Sequence, residues 1–293
     1  MAATQVPQIA IIADSDGVLV QPGKHDVSKD VSRLFRFTPV VAFVATGRSL
    51  NWGWTIGEQI GARGVFAENS ARYQFGRSVN FTYSLEEERC VVDPAHIQCL
   101  AKLIQLGRDE GGSIATIQIN GTRGRVFVHP DKKATLTLGT RASDGSKVSG
   151  CPWISEQLKD KLTKLIEMQG LEIGCIGPFS DGNLDFQPQK DGRLVDKSWI
   201  PPIVQERFPS ARPVALVDGI NDVSLARHPL VYPITFANGC KEVKEAVRER
   251  GGLIIPKVGH EGGCLEALYY IRREFLGITQ SSKWDQERGW MKI

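Results

Sequence analysis

The chain has 293 residues, 41% of them hydrophobic and 24% charged, with 36 basic against 33 acidic residues and a formal net charge of +3. Such a balance suits a globular protein of one large or two moderate domains. It excludes an obvious nucleic-acid binder, since no long basic run occurs, and no stretch nears the roughly 18 apolar residues that a membrane span needs.

The six cysteines, Cys90, Cys99, Cys151, Cys175, Cys240 and Cys264, form no Cys-x-x-Cys pair and no cluster with histidine. Scattered thiols fit a reducing compartment better than a disulfide scaffold. Residues 1–7 lack the charged region and apolar core of a secretory signal. The expectation is a cytoplasmic protein without membrane contact.

In chain order, residues 8–13 form a short apolar run that reads as a buried strand. Asp14-Ser15-Asp16-Gly17 follows it directly. In an open α/β sheet the carboxyl end of a strand faces the ligand crevice. Two carboxylates delivered there repel one another unless a cation holds them, and the hard-oxygen choice is Mg²⁺. The same tetrapeptide also suits a turn or a calcium loop. The next residues, Val18, Leu19, Val20, Gln21 and Pro22, lack the oxygen ligands that a calcium loop requires.

A helix is predicted over 27–36, a strand over 39–45, a helix over 50–60 and a strand over 64–67. This alternation indicates a parallel sheet with crossover helices. The second strand ends in Thr46-Gly47-Arg48, where a hydroxyl and an open backbone can meet a phosphate oxygen or cap a helix. Trp52 and Trp54 could stack on a sugar ring, but packing is the better expectation.

The middle of the chain reads differently. Helices are predicted over 94–108 and 155–168, each followed by two strands, over 114–119 and 125–129 and then over 171–176 and 183–187. Residues 139–152 look most like a loop. Helix-strand-strand twice over suggests a small α+β module with an antiparallel sheet. The expected division is a core of residues 1–75 and 188–293, with residues 76–187 inserted as a second domain.

Beyond it, Lys197 precedes a helix starting near Trp199. The strand expected over 213–218 ends in Asp218-Gly219-Ile220-Asn221-Asp222. If it shares a sheet with the first strand, Asp14, Asp16, Asp218 and Asp222 converge on one crevice and need a divalent cation. Further helices are expected over 223–227, 240–250 and 261–275, with strands over 231–236 and 253–255. Residues 279–293 carry no predicted element.

Taken together, Asp14-x-Asp16-Gly17, Ala45-Thr46-Gly47-Arg48, Lys197 and Asp218-Gly219-x-Asn221-Asp222 resemble the four ordered motifs of the haloacid dehalogenase (HAD) superfamily. The insert between the second and third motifs is similar to the C2B cap of its type IIB branch, which includes Cof-like, sucrose-phosphate and mannosyl-3-phosphoglycerate phosphatases. Glu68-Asn69-Ser70 resembles their Glu-Asn-Gly segment, and Ala237-Asn238 their final Asn-Ala segment. The sequence departs from the pattern at Val18, Ser70, Val217 and Ser198, none of which is a reacting group.

The resemblance implies a HAD-like Rossmannoid α/β core with an α+β cap, and a phosphatase acting on a small phosphorylated metabolite. Asp14 would be the nucleophile that forms an aspartyl-phosphate, and Asp16 the general acid and base. Mg²⁺ would be held by Asp14, the Asp16 backbone carbonyl and Asp218, with Asp222 completing or orienting the shell. Thr46, the Gly47 amide and Lys197 would hold the phosphoryl oxygens. Arg48, Asn69 and Asn221 join Gly47 as expected substrate contacts. In the cap, Arg123, Arg125, His129 and Lys132 are candidates for reading the leaving group. A sugar phosphate is the favoured substrate, and the partner is that small molecule, with the chain a monomer or homodimer. The alternatives are a phosphomutase of the phosphomannomutase type and a non-catalytic binding protein on the same scaffold.

Overall fold

The computed structural model describes residues 8–79, 82–105, 113–119, 122–128, 132–142, 152–177, 179 and 182–278. The first part of the core runs β1 (Gln8–Asp14), α1 (Lys29–Phe37), β2 (Val40–Ala45), α2 (Leu50–Ile60), β3 (Gly64–Ala67), β4 (Arg72–Val79), β5 (Thr82–Leu85) and β6 (Arg89–Cys90). Then come α3 (Ala95–Gln105), β7 (Ser113–Ile119), β8 (Thr122–Val128), β9 (Leu136–Ala142), α4 (Pro152–Met168), β10 (Ile173–Ile176), β11 (Leu184–Lys190) and β12 (Arg193–Leu194). The chain closes with α5 (Ile200–Arg207), β13 (Ala211–Val217), α6 (Val223–Arg227), β14 (Tyr232–Phe236), α7 (Lys241–Glu249), β15 (Leu253–Ile255) and α8 (Gly263–Glu274).

The larger sheet has the order β15-β14-β13-β1-β2-β3-β4-β5, with β6 also paired to β4. It is parallel from β15 to β3 and antiparallel beyond. The apolar strands follow from burial on both faces. Ile9, Ile11 and Ala13 of β1 pack with α1, α2 and α8, whereas Ala10 and Ile12 pack on the other side with α5, α6 and α7. β1 lies between β2 and β13, so the direction of winding reverses beside it, and a crevice opens at their carboxyl ends.

The smaller sheet is antiparallel, in the order β10-β11-β9-β8-β7, with β12 against β11. Ile97 and Leu100 of α3 and Leu158 and Ile166 of α4 cover one face of it, against Leu136, Leu138, Leu184 and Phe186. This antiparallel α+β unit was expected; its strand count was not. β9 runs through part of the stretch predicted as a loop over 139–152, because Leu136 and Leu138 bury alternate positions beside Thr135 and Thr137. Residues 143–151 lie outside the described residues, as do 106–108 of the predicted helix, His129, and 279–293. β4, β5 and β6 were not predicted at all: Arg72, Gln74 and Arg77 make that hairpin read as polar surface. Among the described residues, no helix is long and apolar enough to cross a membrane.

Candidate active site

Register brings the three motif-bearing strands to one level. Asp14 pairs with Ala45 on β2, and Ala13 pairs with Leu216 on β13. The next residues on the outer strands, Thr46 and Val217-Asp218, therefore flank Asp14. Gly17 has φ +83°, and a Cβ there would collide with the Asp218 carboxylate, so only glycine lets the turn after β1 close over that group.

Asp14, Asp218 and Asp222 each offer a carboxylate oxygen, all within 4.8 Å of one another. Lys197, fully buried, sends Nζ to Asp14 Oδ1 at 2.6 Å and Asp222 Oδ1 at 2.5 Å. The ammonium is held in place because Asp196 caps the short 3₁₀ turn Lys197–Trp199 through the Ser198 N–H at 2.9 Å. Asp222 uses its other oxygen to accept the backbone N–H groups of Asp218 (3.1 Å) and Gly219 (3.0 Å), which ties the loop after β13 into one piece.

One ammonium cannot neutralise three carboxylates. Burial, opposed by Lys197 and aided by Asp222 and Asp16, raises the Asp14 pKa from 3.8 to about 7. Burial and the charges of Asp14 and Asp222 raise that of Asp218 to about 9. For Lys197 burial acts downward, but the carboxylates of Asp14 and Asp222 outweigh it and hold the ammonium above its ordinary value. An all-oxygen donor set with surplus negative charge fits a hard divalent cation.

The other predicted residues divide into those near this cluster and those turned away. The Asp16 carboxylate faces Arg48, which binds it through Nε at 2.7 Å and Nη2 at 3.0 Å. The Arg48 guanidinium also lies 4.1 Å from the Trp52 ring. Thr46 is buried and its hydroxyl accepts from Ser15 Oγ at 2.8 Å. A Cβ on Gly47 would come 3.1 Å from Asn69 Oδ1 and 3.6 Å from Asn221 Nδ2, so the three form one patch. Trp54 is core, with its Nε1 donating to Gln74 at 2.7 Å. Lys132 pairs with Asp185 at 3.3 Å, while the side chains of Arg123 and Arg125 lie outside the described residues.

Five residues carry more structure than their sequence context signalled. Asn238 donates to Asp218 Oδ2 at 2.7 Å and to Gly17 O at 3.1 Å, and accepts from the Gly259 N–H at 2.9 Å. The consecutive residues Glu68, Asn69 and Ser70 have φ of 53°, 54° and 78°. The buried Glu68 carboxylate pairs with Arg72 at 2.7 Å and accepts the N–H groups of Lys133, Ala134 and Thr135 from the smaller domain. Asp185, on β11, accepts from Asn69 Nδ2 at 3.2 Å, and Asn69 Oδ1 accepts from Asn221 at 3.0 Å. The signal for Asp185 was a lone carboxylate between Leu184 and Phe186 in a strand.

Neither a protein-family model nor any curated protein matches the chain. Solved structures do. The sucrose-phosphatase from Synechocystis sp. PCC6803, in complex with sucrose and phosphate, superposes with a TM-score of 0.53 at 16% identity over 90% of this chain and 97% of its own. A phosphatase of the haloalkanoate (HAD) enzyme superfamily from Bacteroides thetaiotaomicron gives 0.57 at 13% identity, over 92% and 97%. A protein from Thermotoga maritima gives 0.59 at 15% identity, over 90% and 97%. The fold is the HAD phosphatase fold. Matches spanning nearly the whole of each chain mean that the HAD likeness includes the smaller α+β unit as well as the parallel sheet.

Proposed function

We propose that the chain is a Mg²⁺-dependent phosphatase that hydrolyses a small phosphorylated metabolite, a sugar phosphate, through an aspartyl-phosphate. The reading rests foremost on the Asp14, Asp218 and Asp222 oxygens lying within 4.8 Å of one another around a buried lysine. Asp14, Asp218 and Asp222 would hold the cation, which when bound supplies charge neutralisation for the transferring phosphoryl group.

The protein's own groups supply the rest. The Asp14 carboxylate attacks phosphorus as the bond to the leaving oxygen breaks, and Asp16 gives that oxygen its proton. Water then attacks the phosphorus, Asp16 takes the water proton, and the Asp14–phosphorus bond breaks to release inorganic phosphate. Lys197, Thr46 and the Gly47 amide hold phosphoryl oxygens during both steps. Asp16 has to exchange Arg48 for the leaving oxygen, and an incoming phosphate dianion offers Arg48 a stronger partner. The smaller domain, between β6 and β12, acts as a cap that excludes water. The described cysteines Cys90, Cys99, Cys175, Cys240 and Cys264 are free thiols, consistent with work in a reducing compartment.

The deciding experiment is phosphate release from a panel of phosphorylated metabolites, with and without Mg²⁺. Release that depends on Mg²⁺ and vanishes in Asp14→Asn is the expected result. Release undiminished by that substitution removes Asp14 from the role of nucleophile.

A further inference from the structure

Ser15, between Asp14 and Asp16, is fully buried, and so is the Thr46 that it touches. Its Oγ stands 2.8 Å from Thr46 Oγ1 and 3.3 Å from Asp16 Oδ2. One hydroxyl proton cannot serve both. Asp16 is already supplied: Arg48 forks onto its two oxygens, and the Gly23 N–H adds a bond to Oδ1 at 3.2 Å. The Ser15 proton therefore goes to the nearer oxygen, that of Thr46. Thr46 Oγ1 accepts a second bond, from the Arg48 backbone N–H at 3.1 Å. Both of its lone pairs are then in use, and what it has left to offer is its own proton. Among the described residues, no acceptor takes that proton.

Resting on the phosphatase reading, we propose that Ser15 is a positioning residue. By donating to Thr46 Oγ1 it fixes the threonine hydroxyl as a hydrogen-bond donor to the transferring phosphoryl group. A threonine with a free lone pair can turn its proton away from the crevice. A phosphoryl oxygen, which only accepts, then meets the wrong end of the hydroxyl. Two donors aimed at Oγ1 remove that choice and polarise the O–H as well. The frame that holds both hydroxyls is itself tied down. The Ser15 carbonyl accepts the N–H groups of Leu19 and Val20, each at 3.0 Å. Thr46 donates its N–H to Phe66 O at 2.8 Å, and its carbonyl accepts from the Asn69 N–H at 3.0 Å. The donor is thus set before substrate arrives and needs no reorganisation during the reaction. The setting survives the first step. An Asp16 that carries the proton for the leaving oxygen is neutral, so it draws little on Ser15 once Arg48 has turned to the phosphate.

The test is a double-mutant cycle read by steady-state kinetics, with Mg²⁺, on the ester of the panel that the wild type releases fastest. Ser15→Ala removes one oxygen and should lower kcat about tenfold, the size of one hydrogen bond, while KM moves less than about threefold. Thr46→Val keeps the shape, loses the donor and should lower kcat on the order of a hundredfold. The two together should lower it no further than Thr46→Val alone, because Ser15 acts only through that hydroxyl. Ser15→Cys, similar in shape but a weak donor, carries the same cycle if the alanine variant fails to fold. A further loss of about tenfold in the double variant overturns the proposal. So does a Ser15→Ala effect confined to the melting temperature. Mg²⁺-dependent release by the wild type, lost in Asp14→Asn, keeps the phosphatase reading standing whatever the cycle gives. Absence of release from every ester overturns both readings together.

Discussion

The two polar clusters on either side of the cap boundary differ in how their charge is balanced. At the carboxyl ends of β1 and β13, Asp14, Asp218 and Asp222 cluster about the single ammonium of Lys197, which pairs with Asp14 and Asp222. On the cap, Asp185 is matched one for one by Lys132 and supplemented by Thr137 and Asn69. The first cluster therefore holds pKa values raised to about 7 and about 9, as expected of a site missing a cation's charge. In the second, Lys132 offsets the charge of Asp185. Breaking the first should abolish chemistry, whereas breaking the second leaves the attacking carboxylate and its lysine in place. Asp14→Asn removes the attacking oxygen while keeping the shape, so phosphate release should fall on the order of 10⁴-fold or more. A circular dichroism melt close to that of the wild type would assign the loss to chemistry. Residual turnover within tenfold of wild type would end the comparison.

The clusters are joined by Glu68-Asn69-Ser70, whose three positive φ values are costly for side chains other than glycine. Each residue spends that strain on a different contact. Glu68 accepts the N–H groups of Lys133, Ala134 and Thr135, Asn69 bridges Asp185 and Asn221, and Ser70 Oγ donates to Asp196 O at 2.5 Å. Glu68→Ala leaves Arg72 its fork onto Glu88 at 2.9 and 2.7 Å but strands three backbone donors, so unfolding free energy should drop by about 3 kcal/mol or more. Urea denaturation measures it. A change below about 1 kcal/mol, the range of an exposed ion pair, would mean that the joint is not tight in solution.

Acidity separates the clusters next. The Asp14 and Asp218 carboxyls have folded pKa values of about 7 and about 9 against an ordinary 3.8. Between those limits the folded protein holds protons that the unfolded chain has released. The metal-free protein should therefore be most favoured in acid and lose that stability as pH rises through about 7 and then about 9. A cation prefers the deprotonated site, so Mg²⁺ should raise the melting temperature more at pH 8 than at pH 5. At a hundredfold excess over its dissociation constant the gain is about 2.7 kcal/mol. Asp218→Asn should abolish the Mg²⁺ shift. Melts in chelator that are flat with pH, and unmoved by Mg²⁺, would count against a cation site here.

The same contrast governs what could be read from the sequence. The core cluster was legible because each of its charged residues follows an apolar strand or precedes a helix, and a parallel sheet aligns strand ends automatically. Periodicity placed Asp14, Thr46 and Asp218 at strand ends that a shared sheet would align, and the resemblance of the ordered motifs supplied their meeting at one crevice. The cap cluster was not legible. Asp185 sits in a strand whose alternation signals burial on one face only, and its partners Asn69, Lys132 and Thr137 come from turns and strands that share no motif with it. Nor did the sequence reveal that Glu68 serves the cap loop, since a buried carboxylate bonded to backbone N–H groups leaves no pattern in the partner residues. Arg48 was placed with the substrate contacts, but nothing in Thr46-Gly47-Arg48 indicates that its guanidinium would fork onto Asp16.

That fork gives the smallest expected effect and the sharpest division between holding a fold and handling a ligand. The Arg48 and Asp16 side chains are 43% and 26% exposed, so their ion pair is screened and contributes at most about 1 kcal/mol to stability. Arg48→Ala should therefore leave the melting temperature nearly unchanged. It should still raise KM by roughly tenfold, the size of one charge-assisted hydrogen bond to phosphate. Because the resting pair also occupies Asp16, its loss frees the general acid, and kcat should not fall with the affinity. Arg48→Lys keeps the charge but cannot fork, so it should recover part of KM only. If kcat collapses while KM stays fixed in both variants, Arg48 orients Asp16 for the reaction and does not yield it to the incoming phosphate. The exchange of partners at Asp16 would then have to be abandoned, while the carboxylate cluster around Lys197 would be untouched.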